Sequence, residues 1–122
     1  MYLGLDCGTS ALKALLIDER GAPVASASRA YAPDRPKTNW SEQDPAVWRA
    51  AMAGAISDLR TSAGKALGAL KAISFSGQMH GAVLLDKEDR PVRPAILHSD
   101  GRAHAGRANS RGSIRVSPPW SE

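Results

Sequence analysis

Residues 1–13 read MYLGLDCGTSALK, and this stretch decides the fold of the chain. It predicts a short apolar strand over Tyr2–Leu5, then Asp6, a turn of small residues over Cys7–Ser10, and a second strand over Ala11–Ile17. Two strand-like runs on either side of a Gly-Thr-Ser turn indicate a β-hairpin.

The turn of this hairpin carries the chemistry of a phosphate site. Amide N–H groups and the hydroxyls of Thr9 and Ser10 can bind phosphate oxygens, Gly8 lets the backbone come close, and Asp6 can orient a hydrated Mg²⁺. Gly-Thr-Ser turns also occur in hairpins that bind nothing, so these residues alone leave both interpretations open. Neither a P-loop nor a dinucleotide fingerprint is present, since Gly64-Lys65 is followed by neither Ser nor Thr.

Length and charge bound the class of protein. The chain has 122 residues, which allows one domain at most, and 43% of them are hydrophobic, enough for a modest core. Residues 1–100 carry 12 Lys and Arg against 11 Asp and Glu, whereas residues 101–122 carry four Arg against one Glu. Because the excess positive charge lies in the tail, it does not indicate a nucleic-acid partner.

Cysteine content and apolar runs predict the compartment. The single cysteine, Cys7, excludes an internal disulfide framework and is typical of a reducing compartment. Met1 leads straight into a strand, without the basic and apolar regions of a secretory signal. No apolar run reaches the length of about 18 residues that a membrane span needs. We therefore expect a cytoplasmic protein with no membrane partner.

The next segments predict a three-stranded antiparallel meander and then a helix. A third strand over Ala22–Tyr31 has a weak β signal. Asp44 is a good helix N-cap, and Pro45 suits the first helical position. An apolar stripe at helical spacing follows, made of Trp48, Met52, Ile56, Leu59, Ala63 and Leu67. Core packing accounts for the large side chains of this stripe without any ligand.

Glycines mark the end of this helix and one position inside it. Gly64 and Gly68 are its candidate stops, and Gly54 within it indicates a close backbone approach. A strand over Leu70–Ser76 comes next. Its apolar side chains on one face are Ile73 and Phe75.

The last predicted elements are short. A loop over Gly77–Gly81 precedes a strand over Ala82–Leu85 and an extended segment over Pro94–Leu97. A meander, a helix and further strands predict an α/β fold. Residues 103–122 are rich in Arg, Ser, Gly and Pro and are expected to form a disordered tail. An RNA-binding arginine tail is the alternative, but no aromatic residue lies among these arginines before Trp120.

Four blocks resemble the FGGY family of sugar kinases, within the actin and hexokinase superfamily. LGLDCGTSALK, residues 3–13, is similar to the family's first phosphate loop. WSEQDP (40–45) and SGQMHG (76–81) resemble xylulokinases in particular, and PAILHSDGR (94–102) resembles their PAI-L-W-N-D-G-R segment. The blocks cover about residues 1–102 in the family's order and spacing, so this part is identified as a partial N-terminal FGGY domain.

The resemblance implies an incomplete ribonuclease-H-like, actin-like ATPase domain that contributes half of an ATP site. It also implies transfer of the γ-phosphoryl group of ATP to D-xylulose, giving D-xylulose 5-phosphate, with Mg²⁺. Asp6 would lie near the metal and the phosphates. The cofactor-binding residues would be Asp6, Gly8, Thr9, Ser10 and Lys13, and the sugar-binding residues Gln78, Met79, His80, Asp100 and Arg102. Trp40 and Glu42 would shape a nearby loop.

Each of these assignments has a plain structural alternative. His80 can be a loop histidine with its hydrogen bonds satisfied, and Asp100 and Arg102 can belong to a solvated turn. The chain also departs from the family. His98-Ser99 stands where the family has Trp-Asn, which removes an aromatic wall and an amide from the sugar pocket, and Cys7 takes a place that is more often aliphatic.

The general base is the larger departure, and it leaves three interpretations. The family's catalytic aspartate and adenine site lie far downstream, and no Asp or Glu follows Asp100 except Glu122, so no catalytic residue is assigned here. The chain is then an inactive N-terminal part of a xylulokinase, a non-catalytic lobe that binds sugar or phosphate, or a decayed product that aggregates through uncovered sheet faces. A homodimer or a separate C-terminal lobe is the expected protein partner.

The similarity stops abruptly after Arg102, as a frameshifted or truncated reading frame would produce. We expect family-like residues to reappear in another frame of the encoding DNA beyond this codon. Translating the DNA in all three frames measures this. Three unrelated translations would contradict the hypothesis.

Overall fold

A computed structural model describes residues 1–103, which form a four-stranded sheet, a long helix and a small two-stranded sheet. The strands and helix are β1 (Tyr2–Cys7), β2 (Ala11–Ile17), β3 (Pro23–Ala30), β4 (Glu42–Gln43), α1 (Pro45–Leu67), β5 (Ala72–Gly77) and β6 (Ala95–Ile96). Except for Ala103, the tail predicted to be disordered lies outside the described residues. Within residues 1–103, no helix is both long and apolar enough to cross a membrane.

The larger sheet confirms the predicted meander. Its strand order is β3-β2-β1-β5, and β1, β2 and β3 pair antiparallel in sequence order. β5 pairs parallel with β1 on the other side, which makes β1 an inner strand. Parallel neighbours need a long connection, and α1 lies within it. β1 extends to Cys7, so Asp6 and Cys7 belong to the strand, and the turn is shorter than the sequence predicted.

The core lies between one face of this sheet and α1. Leu3 and Leu5 of β1 alternate with exposed neighbours, as a strand covered on one face requires, and β2 repeats the pattern with Leu12, Ala14 and Leu16. From α1, the buried side chains that meet this layer are Ala51, Ala55 and Leu59.

The buried line of α1 differs from the predicted stripe. Asp44 caps the helix as expected, with Oδ1 accepting from Ala46 N at 2.8 Å. Ala51 and Ala55, rather than the larger side chains one position later, face the sheet, while Met52 and Ile56 are half-buried. Small residues let a helix axis come close to a sheet, and hydrophobicity alone did not reveal which row they occupy.

Two glycines of α1 have local causes. A Cβ at Gly54 would lie 3.1 Å from the Nε of Arg29, which pairs with Asp58 at 2.5 Å. The sequence predicted a close approach of backbone at Gly54, whereas the structure shows a side chain of β3 at this position. The helix ends at Leu67, where Gly68 N donates to Gly64 O at 2.9 Å.

The segment after β5 is less regular than predicted. Ala82–Leu85 is not a strand, because it makes two isolated bridges, Ala82 with Ile96 and Leu85 with Pro91. β6 pairs instead with β4, a strand inside the WSEQDP block that the sequence did not indicate. Prolines and the polar turn at 86–90 interrupt any longer ladder here.

One end of the sheet face beside α1 is open. Ile73 and Phe75 of β5 share the face of Leu3 and Leu5, as the alternation predicted. α1 packs mainly against β2 and β3, and Ile73 is 48% exposed and Phe75 is 67% exposed. The described residues therefore leave apolar surface at the β5 edge.

Leu59 tests the position of the core. Its side chain is fully buried, so Leu59→Ala should lower the free energy of unfolding by about 2–4 kcal/mol, through lost burial and the cavity left behind. Urea denaturation followed by circular dichroism measures the change. Val47→Ala on the exposed side of the same helix is the control, with an expected change within about 0.5 kcal/mol. Equal effects would contradict the packing described here.

Candidate phosphate and sugar site

The carboxylate of Asp6 belongs to the sheet face opposite α1. In register, Asp6 pairs with Lys13 on β2 and with Ser76 on β5, so the three side chains form a row across the sheet. Side chains directly opposite one another in an antiparallel pair have Cβ atoms about 4.5–5.5 Å apart. Together with Leu15 they border a groove of about 340 Å³. An acid, an amine and a hydroxyl are thus presented side by side.

The hairpin turn beyond this row is tight and leaves amide groups available. Gly8 N donates to Ala11 O at 3.0 Å, and a Cβ at Gly8 would lie 3.2 Å from the same oxygen. Gly8 is outside the left-handed region, so it is needed for close approach rather than for a special φ. The N–H groups of Thr9 and Ser10 donate to no acceptor among residues 1–103. Free amides at a turn are suited to anion binding.

Tyr31 fixes this turn from the end of β3. Its hydroxyl donates to Gly8 O at 2.7 Å and lies 3.5 Å from Cys7 Sγ, and its N–H donates to Ser10 O at 2.9 Å. Burial and the neighbouring Cys7 raise the pKa of Tyr31 above its usual value, so the hydroxyl keeps its proton as a donor. The sequence analysis assigned Tyr31 no role, although a three-stranded meander brings the end of its third strand back to the first turn.

Gln78 joins the turn to the loop after β5. Its N–H donates to Cys7 O at 2.9 Å, which extends the pairing of β1 and β5 by one residue. Its side-chain Oε1 accepts from Thr9 Oγ1 at 3.2 Å. The Nε2 group is shielded from solvent and has no partner among the described residues. A buried polar group left unpaired costs about 1–3 kcal/mol, so this donor is a candidate for a ligand contact.

The loop at residues 77–81 brings the predicted sugar residues to the hairpin. His80 has φ +62°, a conformation that is uncommon for a residue with a Cβ and that concentrates at functional sites. One cavity of about 350 Å³ is lined by Asp6, Gly8, Thr9, Gly77, Gln78, Met79, His80 and His98. The structure therefore gathers candidates from both predicted groups around one space. Ser10, Lys13, Asp100 and Arg102 are not part of this lining.

Asp100 and Arg102 are engaged with protein groups. The Nε and Nη2 of Arg102 donate to the two carboxylate oxygens of Asp100, each at 2.7 Å, and Nη2 lies 2.8 Å from Glu42 Oε1. The guanidinium stacks 3.7 Å from the ring centre of Trp40. Asp100, whose side chain is 2% exposed, also accepts from Ser41 N at 2.6 Å. Sugar binding by this pair stays a prediction. The contacts hold residues 40–42 against residues 100–102.

Arg102 also sets the charge state of Asp100. Its guanidinium holds the pKa of the Asp100 carboxyl well below the usual range, because it donates hydrogen bonds to the charged form. Glu42 accepts a further bond from Arg93 at 2.5 Å. Two cations and two carboxylates therefore neutralise one another in this cluster.

Gln43 and Trp48 form a second connection that the sequence analysis missed. Gln43 is fully buried, donating from Nε2 to Ala32 O at 3.0 Å and accepting from Trp48 Nε1 at 2.7 Å. Trp48, Gln78 and Cys7 line a small cavity of about 130 Å³. The large ring of Trp48 thus lies beside the loop of Gln78. The block WSEQDP was the available signal, but a buried partner for Gln43 cannot be read from it.

Known proteins share the sequence and the fold of this chain. The profile of the FGGY family of carbohydrate kinases, N-terminal domain, matches residues 1–112. The chain belongs to the FGGY family of carbohydrate kinases. This confirms the family that the four sequence blocks indicated.

Relatives within the family share both sequence and fold with this FGGY chain. It is 47% identical over 102 residues to the xylulose kinase of Klebsiella pneumoniae, covering 84% of this chain and 21% of the relative. It is 45% identical to the xylulose kinase of Escherichia coli (strain K12) over the same shares. A "xyloylose kinase" from Brucella ovis superposes with a TM-score of 0.85 at 52% identity, covering 88% of this chain and 23% of that one. The expected α/β fold class is thereby confirmed.

The match covers only part of each relative. The chain spans about a fifth of the length of the curated relatives it matches. Among residues 1–103, no group of three His, Cys, Asp or Glu side chains is arranged to hold a metal ion by itself. Mg²⁺ bound to phosphates keeps several waters and needs one or two protein carboxylates, so a lone Asp6 fits that mode and no other.

The pH dependence of stability tests the cluster around Asp100. Because its pKa is lowered in the folded chain, the carboxylate stabilises the fold at neutral pH, and this contribution is lost as the pH falls below the ordinary aspartate value of about 3.9. Asp100→Asn should lower the urea midpoint at pH 7, and its difference from wild type should narrow as the pH falls from about 5 to about 2.

The matched control is Asp89→Asn, an exposed carboxylate in a turn where asparagine tolerates the positive φ. It should leave the midpoint nearly unchanged at both ends of the pH range. An Asp100→Asn midpoint equal to wild type at pH 7 would contradict the role given to this cluster.

Proposed function

We propose that this chain forms the part of an FGGY kinase that binds the phosphates of ATP and the acceptor sugar, D-xylulose. The observation that carries the proposal is the shared cavity, which brings the hairpin turn and the loop of Gln78 to one place. Transfer of a phosphoryl group requires the two substrates to meet in one enclosed space. The relatives named xylulose kinase support the choice of sugar.

The phosphate end of the cavity lies at the hairpin. Thr9 lines it and Ser10 follows in the same turn, and their amide groups have no acceptor among residues 1–103; hydroxyl and amide donors suit phosphate oxygens. Asp6 would hold Mg²⁺ through one carboxylate, and Lys13, its cross-strand neighbour, adds positive charge at the adjoining groove. Magnesium ATP, when bound, supplies the phosphoryl group and neutralises its developing charge.

The sugar end lies at the loop of residues 77–81. His80 provides ring nitrogens for directional hydrogen bonds to hydroxyls, and Met79 provides an apolar contact. His98 enters the same lining from the segment after β6, where the family has tryptophan. An imidazole at this place adds a polar partner for a sugar hydroxyl and removes an aromatic stacking surface.

The described cavity does not contain the general base. Asp6 is the single carboxylate in its lining among residues 1–103, and we assign it to Mg²⁺. Loss of a general base lowers rates by about 10²–10⁴-fold. We therefore propose that this chain binds both substrates but does not transfer phosphate unaided, so that another segment or chain has to provide the base.

One set of measurements tests this function. Isothermal titration of the 122-residue chain with ATP should detect binding that requires Mg²⁺, and Asp6→Asn should weaken it by about tenfold or more, since a charged contact is lost. Asp34→Asn, an exposed carboxylate on another loop, is the control and should bind as wild type does. An ADP-release assay with D-xylulose should detect no turnover.

Two results would contradict the proposal. Absence of Mg²⁺-dependent ATP binding would remove the phosphate site. Turnover abolished by Asp6→Ala would mean that a residue of this chain replaces the missing base.

A further inference from the structure

One side-chain hydrogen bond spans the two halves of the cavity. Thr9 Oγ1 donates to Gln78 Oε1 at 3.2 Å, across 69 positions of sequence. Gln78 N donates to Cys7 O at 2.9 Å, so the two backbones are fixed beside this contact. We propose that Thr9 and Gln78 act as a relay that couples phosphate binding at the hairpin to sugar binding at residues 78–80. This inference rests on the function proposed above.

The relay follows from the single proton of the Thr9 hydroxyl. A hydroxyl donates one hydrogen bond and accepts through its lone pairs. In the structure, that proton is directed at Gln78 Oε1. A phosphate oxygen only accepts, so when the Thr9 hydroxyl donates to a phosphate at the turn, Thr9 Oγ1 and Gln78 Oε1 face each other as two acceptors.

A half-turn of the Gln78 amide removes this conflict. It exchanges Oε1 and Nε2, so that Nε2 donates to Thr9 Oγ1 while the Thr9 hydroxyl donates to the phosphate. No covalent bond changes. The rotation also gives a partner, Thr9 Oγ1, to the Nε2 group, which in the structure is buried and has no acceptor among the described residues.

The rotated amide changes what the sugar end presents. Oε1 then occupies the position of the unpaired donor, in a residue that lines both the shared cavity and the small cavity beside Trp48. A sugar hydroxyl can accept from Nε2 before the rotation and donate to Oε1 after it, so the rotation changes which hydroxyl orientation the site binds. Phosphate binding therefore changes the affinity for the sugar, and by thermodynamic linkage the sugar changes the affinity for phosphate by the same factor.

The test measures this coupling factor in the 122-residue chain. D-xylulose is titrated calorimetrically with and without saturating Mg²⁺ and inorganic tripolyphosphate, and the two Kd values should differ by about fivefold in wild type. Thr9→Val removes the hydroxyl at nearly constant shape and should bring the ratio to about one. Thr9→Ser restores the hydroxyl and should restore the ratio.

Two further observations separate a relay from a merely structural contact. Thr61→Val makes the same change at an exposed position of α1, away from the cavity, and should keep the wild-type ratio. In ¹⁵N NMR spectra, the Gln78 side-chain NH₂ signals, assigned by their loss in Gln78→Glu, should shift on adding Mg²⁺ and tripolyphosphate. These signals should shift in wild type and in Thr9→Ser, and they should keep their positions in Thr9→Val.

The outcomes distinguish the relay from the site. If both ligands bind but the ratio is near one, or Thr9→Val keeps the wild-type ratio, the relay is wrong and the proposed site stands. If only one ligand binds, the relay is likewise overturned. If neither ligand binds, the proposed function and the relay fail together.

Discussion

The inner position of β1 is the constraint on which the described structure depends. Because β1 pairs with β2 on one side and β5 on the other, the hairpin turn and the loop after β5 leave the sheet at the same edge. The carboxyl end of β1 therefore carries Asp6 between Lys13 and Ser76. The register of the backbone hydrogen bonds is what places these three side chains next to one another. The site is thus as rigid as the sheet that supports it.

Polar side chains that are partly or fully buried connect the loops at this end of the sheet. Tyr31, Gln43 and Gln78 each use a side chain to join segments that are distant in sequence. Such groups are costly when unpaired, so each bond stabilises one arrangement of the loops against its alternatives. The exception is Nε2 of Gln78. A buried donor beside a cavity that has no partner among residues 1–103 is a candidate for a ligand contact.

The ion cluster around Arg102 has a different function in the fold. It joins Ser41, just before β4, to the turn at Asp100, and the ring of Trp40 covers the guanidinium. This supports the segment that carries His98 into the cavity. At the β5 edge, Ile73 and Phe75 stay exposed because α1 packs mainly against β2 and β3. The described residues are therefore closely connected around the site and leave apolar surface at the β5 edge.

The sequence by itself determined the hairpin, the meander, the capped helix and the family, because alternation, turn residues and the Asp-Pro cap are local signals. It also singled out the two loops that line the cavity, through short blocks at fixed spacing. The tertiary structure alone decided that Ala51 and Ala55 face the sheet and that residues 82–85 form no strand. It likewise decided that Arg102 binds both Asp100 and Glu42. These results depend on distances between segments far apart in sequence, where packing and pairing outweigh local preference.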